Sequence, residues 1–171
     1  MGSLVRMLLL PAKKGGYLMN KGAAFSADRQ YRYALWRIWN PDKPLAMFIG
    51  LNPSTANEHV DDPTIKRVMK LVGGWGYGGF YMMNLFAIVS SDPNILVGHS
   101  DPLGENELWL DKIALECEMI VFAWGAFKQC RARAEEIKNR FPGAYCLRKT
   151  KDGHPWHPLY IPAKTKPIPF Q

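Results

Sequence analysis

The sequence predicts an α/β fold, with a mostly parallel central sheet, helices on both faces and an antiparallel β extension at the start. Three observations carry this. The apolar runs LAMFIGL at 45–51, GGFYMMNLFAIV at 78–89 and MIVFAWG at 119–125 do not alternate with polar residues, as expected of strands covered on both faces. The segments between them place apolar residues at helical spacing. Strands that alternate with helices need crossover connections, which make neighbouring strands parallel.

The first 40 residues read as a β start. The opening MGSLVRMLLLPAKKGG has a short apolar patch but no small-residue cleavage site and no strong basic lead. It reads as a strand, with MGS as a cloning remnant, rather than as a signal peptide. YRYALWRIW at 31–39 is aromatic-rich with partial alternation, which favours a strand. NPDKP at 40–44 is a turn signal. After the strand at 45–51, Asp62 suits a helix cap and Pro63 the first helical position. Ile65, Val68, Met69 and Val72 then recur at helical spacing, and Gly73-Gly74 is expected to end the helix. Trp75-Gly76-Tyr77-Gly78-Gly79 precedes a strand and reads as a packed turn, because phosphate loops follow a strand and open a helix. A loop after 89, a helix over 105–118 and the strand at 119–125 come next. Phe127, Cys130, Ala134, Ile137 and Phe141 form the apolar stripe of another helix. Pro142-Gly143 turns into a short strand, AYCLR, and a Pro-rich tail closes the chain. The expected organisation is one domain over 1–171, with the extension at 1–44, the core at 45–162 and the tail at 163–171.

Composition narrows the class. At 171 residues the chain is long enough to bury a core, and 47% hydrophobic against 22% charged residues indicates a folded globular protein. No apolar run reaches the roughly 18 residues of a membrane span, so a cytoplasmic protein without membrane contact is expected. Cys117, Cys130 and Cys146 match no zinc spacing and read as reduced thiols. No metal and no cofactor are expected, and a monomer is. The net charge of +7 favours an anionic partner such as nucleic acid or a nucleotide, although solubility alone also accounts for it. Basic residues are dense from Arg131 to Lys166, and Lys149 and Lys151 stand among them.

In an open parallel sheet, ligands bind outside the carboxyl ends of the strands. Here the segments at those ends are NPSTANEHVDDP, NLFAIVSSDP, AWGAF and KTKDGHPWHPLY, which hold much of the polar chemistry of the chain. Each also has a plainer reading. Asn52, Ser54 and Thr55 can form a turn after a strand. Asn84 can cap a turn, and His157 can be a packed histidine. Asp62 is accounted for as a helix cap, and Asp61-Asp62 alone is a thin case for a metal. Arg67, within the helix, can reach a carboxylate or a phosphate.

Taken together, Gly50-Leu51-Asn52-Pro53-Ser54, Asn84 at the end of an apolar strand, Ala123-Trp124-Gly125 and His157-Pro158-Leu159-Tyr160 resemble, in order and rough spacing, the motifs of the uracil-DNA glycosylase superfamily and its mismatch-specific branch. More closely, the run GLNPST…DDPT…WGYGG…NLFA…AWG…HPLY resembles a bacterial and phage family known as a domain of unknown function. The superfamily resemblance implies a three-layer α/β/α fold and N-glycosidic chemistry on a uracil-like, damaged or modified base in DNA. It implies Asn52 and His157 as catalytic groups, and Asn84, Pro53, Phe86 and Trp124 around the base. It also implies Ser54, Thr55, Arg67, Lys149, Lys151, Leu159 and Tyr160 along the nucleic acid. Trp75 and Tyr77 are further candidates for stacking on the base. The sequence departs from the pattern at Asn52, where the fast enzymes carry Asp; an amide can hold water but cannot take its proton at neutral pH. A non-catalytic nucleic-acid or nucleotide binder, and an N-glycosidase of small nucleosides or nucleotides, are the alternatives on the same fold.

Overall fold

The computed structural model describes residues 18–171, so the reading of the opening segment as a strand lies outside the described residues. β1 (Asn20–Phe25) and β2 (Arg32–Ile38) pair antiparallel, and β2 continues antiparallel onto β4 (Gly79–Asn84). β3 (Leu45–Gly50) lies parallel between β4 and β5 (Met119–Phe122), and β6 (Tyr145–Cys146) lies parallel beside β5. β7 (Ile168–Pro169) closes the far edge antiparallel to β6. The seven-stranded order is β1-β2-β4-β3-β5-β6-β7. The expected parallel core is therefore present, but the whole sheet is mixed, and the β extension is fused to it as two edge strands.

The direction of each crossover fixes which face its helix covers. From β3 the chain moves one way to β4, then returns past β3 to β5 and β6. Right-handed crossovers that reverse direction put their helices on opposite faces. Accordingly α1 (Pro63–Gly74) packs Ile65, Val68, Leu71 and Val72 against Ala46, Phe48, Phe80 and Val121. α2 (Asn106–Ala114) and α3 (Arg131–Arg140) pack Leu110, Ile113, Ala134 and Ile137 against Met47, Ile49, Met83 and Phe122. Alternate residues of β3 serve the two cores, which is why the run at 45–51 shows no polar alternation.

Three boundaries differ from the sequence reading. The apolar run at 78–89 stops being a strand at Asn84. The amides of Leu85 and Phe86 still donate to the carbonyls of Gly50 and Leu51, and those of Ala87 and Ile88 turn to Pro102. Residues 85–88 are apolar because they are a buried loop. The helix expected over 105–118 is the shorter α2. Gly73 and Gly74 form the last turn of α1 rather than ending it, and Trp75 caps it. Within the Pro-rich tail, Ile168–Pro169 forms β7 at the sheet edge, where a missing proline N–H leaves no central ladder bond unmade. Among the described residues no helix is long and apolar enough to cross a membrane.

Candidate functional site

β3 is the strand at which the order reverses, so the loops leaving its end and that of β5 diverge and open a crevice. A cavity of about 330 Å³ occupies this crevice, within the range of small-ligand sites. All four strand-end segments contribute to it. Gly50, Leu51, Asn52, Ser54 and Thr55 come from β3 and its loop, and Asp62, Pro63, Thr64 and Ile65 from the start of α1. Met82, Asn84, Ser90, Ser91 and Pro93 come from β4 and its loop. Trp124 follows β5, and His157 and Leu159 come from the segment after β6. Because β2 runs antiparallel to β4, its first residue, Arg32, reaches the same end.

Two arginines of β2 hold the long loop from β3 to α1. Arg37 is fully buried; its Nε pairs with Asp61 at 2.7 Å and its Nη2 donates to Asn57 O at 2.7 Å. Its Nη1 donates to Trp36 O at 2.7 Å and Gly22 O at 3.4 Å. Arg32 donates from Nη1 to Ala56 O at 2.6 Å. At the loop surface Arg29 grips Glu58 through both terminal nitrogens. The neighbouring loops are joined as well. Ser90 N donates to Pro53 O, and Asn52 Nδ2 donates to Ser90 O at 2.9 Å and Pro53 O at 3.0 Å. Gly125, at φ +78° where a side chain would be strained, turns the chain after Trp124. Its amide donates to Pro155 O, which ties this turn to the segment carrying His157.

Among the residues that line the cavity, several buried polar atoms have no protein partner. Asn84 is buried with its Nδ2 unpaired, and the Nε1 of buried Trp124 is likewise unpaired. A Cβ on Gly50 would stand 2.8 Å from Asn84 Oδ1, so the glycine makes room for this amide. Behind it, Asn106 Nδ2 donates to the carbonyls of Asn84 and Leu85, and Arg133 Nε also donates to Leu85 O. Arg32 is 3% exposed and its Nε has no partner. Burial pulls its pKa down to about 10, partly offset by the charge of Asp62. His157 Nδ1 accepts from the Leu159 amide at 3.3 Å, which leaves the neutral ring's proton on Nε2. Burial lowers its pKa below 6.5, and the Asp62 carboxylate partly opposes this. Asp62 caps α1 by accepting from Ile65 N at 2.8 Å, and it is the only carboxylate among the residues lining the cavity.

The residues expected at a site thus divide. Asn52, Ser54, Thr55, Asn84, Trp124, His157 and Leu159 line one cavity. Pro53 and Phe86 are buried beside it without lining it, and Phe86 belongs to the core under α2 and α3. Trp75 stacks on Phe48 at 5.9 Å, and Tyr77 packs edge-on against Trp75, away from the cavity. Arg67 lies on α1 outside it. Tyr160 is 73% exposed next to Leu159. Lys149 is held over the Phe170 ring and by the Gln171 carbonyl, whereas Lys151 is exposed in a turn. Arg32, Thr64, Ser90 and Ser91 join the lining without having been singled out as site residues. Asp62 was read as a cap, which it is; its segment was expected at the ligand end of the sheet, but Asp62 was given no role there. Among the described residues, no cluster of three or more His, Cys, Asp or Glu side chains could hold a metal ion.

The fold and the site define a mixed α/β protein with a cavity at the carboxyl ends of its parallel strands. A family model described as a protein of unknown function (DUF1643) matches residues 32–159, and the chain belongs to that family. The match runs from the buried arginine of β2 to the cavity residue Leu159, so it covers every element that lines the cavity. No curated protein and no solved structure matches the chain.

Proposed function

We propose that the protein is a DNA glycosylase-like hydrolase that takes a nucleobase into this cavity and cleaves its N-glycosidic bond. The observation that carries this is the unpaired, buried amide of Asn84 in a cavity of about 330 Å³ shared with His157. A buried donor without a partner costs about 1–3 kcal/mol, and a ligand acceptor at that position recovers the loss. An amide presents a donor and an acceptor together, which suits the edge of a pyrimidine. His157 Nε2–H is a neutral donor suited to an oxygen of the departing base, whose negative charge grows as the bond breaks. The α/β arrangement and the order of the four strand-end motifs support a uracil-DNA-glycosylase-like, three-layer fold.

A base inside a duplex must first be turned out of the stack, at a cost of a few kcal/mol. Leu159 and Tyr160 are exposed apolar groups beside the cavity and suit the space the base vacates. The positive charge of the chain favours the strand, with Lys151 and its basic neighbours near the phosphates. One observation favours a second reading, binding without cleavage: Asn52 uses its Nδ2 to hold the loop after β4, so it is a structural tie first.

The test is a base-release screen on single- and double-stranded oligonucleotides carrying uracil, a U:G or T:G mispair, an alkylated purine or 5-hydroxymethyluracil, with uridine and dUMP alongside. Release from an oligonucleotide, lost in Asn84→Ala and His157→Ala, is expected. Tight binding of an oligonucleotide with no base released would favour the second reading. Neither binding nor release across the panel would refute both.

A further inference from the structure

We propose that Asp62 is the catalytic carboxylate of the cavity, accepting a proton from the attacking water and stabilising positive charge on the sugar. The proposal rests on the glycosidase reading above and assigns its missing base. Hydrolysis of an N-glycosidic bond is accelerated by a group that takes a proton from water and stabilises a cationic sugar beside it. Asn52 cannot do the first, and its Nδ2 faces three loop carbonyls, those of Pro53, Ile88 and Ser90. Asp62 is the one carboxylate lining the cavity, and it shares the lining with Asn84 and His157.

The local geometry suits the role. The Ile65 amide holds Oδ1 at 2.8 Å, while Oδ2 accepts from no described residue. One oxygen therefore fixes the carboxylate and the other is left for water. In the proposed step the water oxygen bonds to C1′ as the C1′–N bond breaks, and the bonding pair leaves on the base. Asp62 takes one water proton. The base anion, hydrogen-bonded by His157 Nε2–H, is protonated from solvent, and Asp62 later returns its proton to solvent.

Asn is as good a helix cap as Asp, so Asp62→Asn removes charge and basicity while keeping the cap. On the oligonucleotide from which the wild type releases a base, Asp62→Asn should lower kcat by at least about 100-fold and leave KM within about threefold, with an unchanged melting temperature. Asp62→Ser keeps a capping hydroxyl and leaves space, so added formate should raise its rate severalfold. Wild-type kcat in Asp62→Asn would overturn the assignment, as would an inactive Asp62→Ser that formate does not rescue. A wild type that releases no base from any member of the panel would instead overturn the glycosidase reading, and this role with it.

Discussion

Replacing Asp61 with Ala tests the claim that buried arginines of β2 hold the cavity loop in shape. Arg37 carries five N–H donors and is fully buried, with Asp61 as its only carboxylate within 4 Å. Removing that carboxylate leaves the guanidinium with the carbonyls of Gly22, Trp36 and Asn57 and no countercharge. Breaking a buried pair from one side in this way costs about 3–5 kcal/mol. The Lys21–Asp61 pair is lost too, but its lysine is 39% exposed and it adds little. For a chain of this length the loss corresponds to a melting temperature lower by roughly 6–20 °C. Urea unfolding should show the midpoint falling with an unchanged slope.

Two companions make the test specific. In Arg37→Met/Asp61→Ala no unpaired charge is left at this site, so the double variant should be more stable than Asp61→Ala alone. Burial pushes the Asp61 carboxyl up, but Arg37 and Lys21 outweigh it, and its pKa lies below the ordinary 3.8. A carboxyl with a lowered pKa contributes stability above its unfolded value and loses it as pH falls through the native value. The difference between wild type and Asp61→Ala should therefore be full above pH 3.8 and close below it. A change under about 1 kcal/mol in Asp61→Ala, or a double variant no more stable than the single, would refute the reasoning from a buried pair.

His157, followed by NMR, should titrate below 6.5 with its neutral proton on Nε2, and Asp62→Asn should move the midpoint further down, since the Asp62 charge holds it up; a midpoint above 6.5 would contradict the burial argument. Asn106→Leu removes the donor shared by the carbonyls of Asn84 and Leu85 and should cost about 1–3 kcal/mol in urea unfolding. Gly50→Ala places a methyl 2.7 Å from Met82 Cε and 2.8 Å from Asn84 Oδ1, so it should destabilise by about 1–3 kcal/mol and shift the Asn84 side-chain amide signals; unmoved signals would refute that close approach.

The parallel core was legible because periodicity reports burial on two faces, and β3, β4, β5 and the stripe of α3 follow it closely. The same signal overran at residues 85–88, since apolar content marks burial and not strand geometry. β1 and β7 were not legible as elements: NKGAAF lacks a strong β pattern, and Ile168–Pro169 is two residues containing a proline. Asn52, Asn84, Trp124 and His157 could be picked out because a strand end is a position that can be counted along the chain. Arg32 and Arg37 could not. Within a run of aromatic residues they read as the outer face of a strand, and their partners lie on a loop some twenty residues away.

The arginines also bear on why the loop after β3 can be long, polar and still part of a defined cavity. A loop from Leu51 to Asp62 has few apolar side chains with which to anchor itself; Ala56 is buried, while Val60 is exposed. Its position depends instead on backbone carbonyls and one carboxylate held from below by Arg32 and Arg37. Those bonds lie under the loop and leave the side chains of Ser54, Thr55 and Asp62 to the cavity. Asn52 and Asp62 then stand at the two ends of the segment with different tasks. The amide ties the β3 and β4 loops together through carbonyls, which a carboxylate could not do because it has no proton to donate. The carboxylate lies in the cavity lining, where the helix start fixes one of its oxygens. Asn52→Asp should therefore not raise the base release proposed above: it removes the donor that joins the two loops and sets a second negative charge in the lining that already holds Asp62.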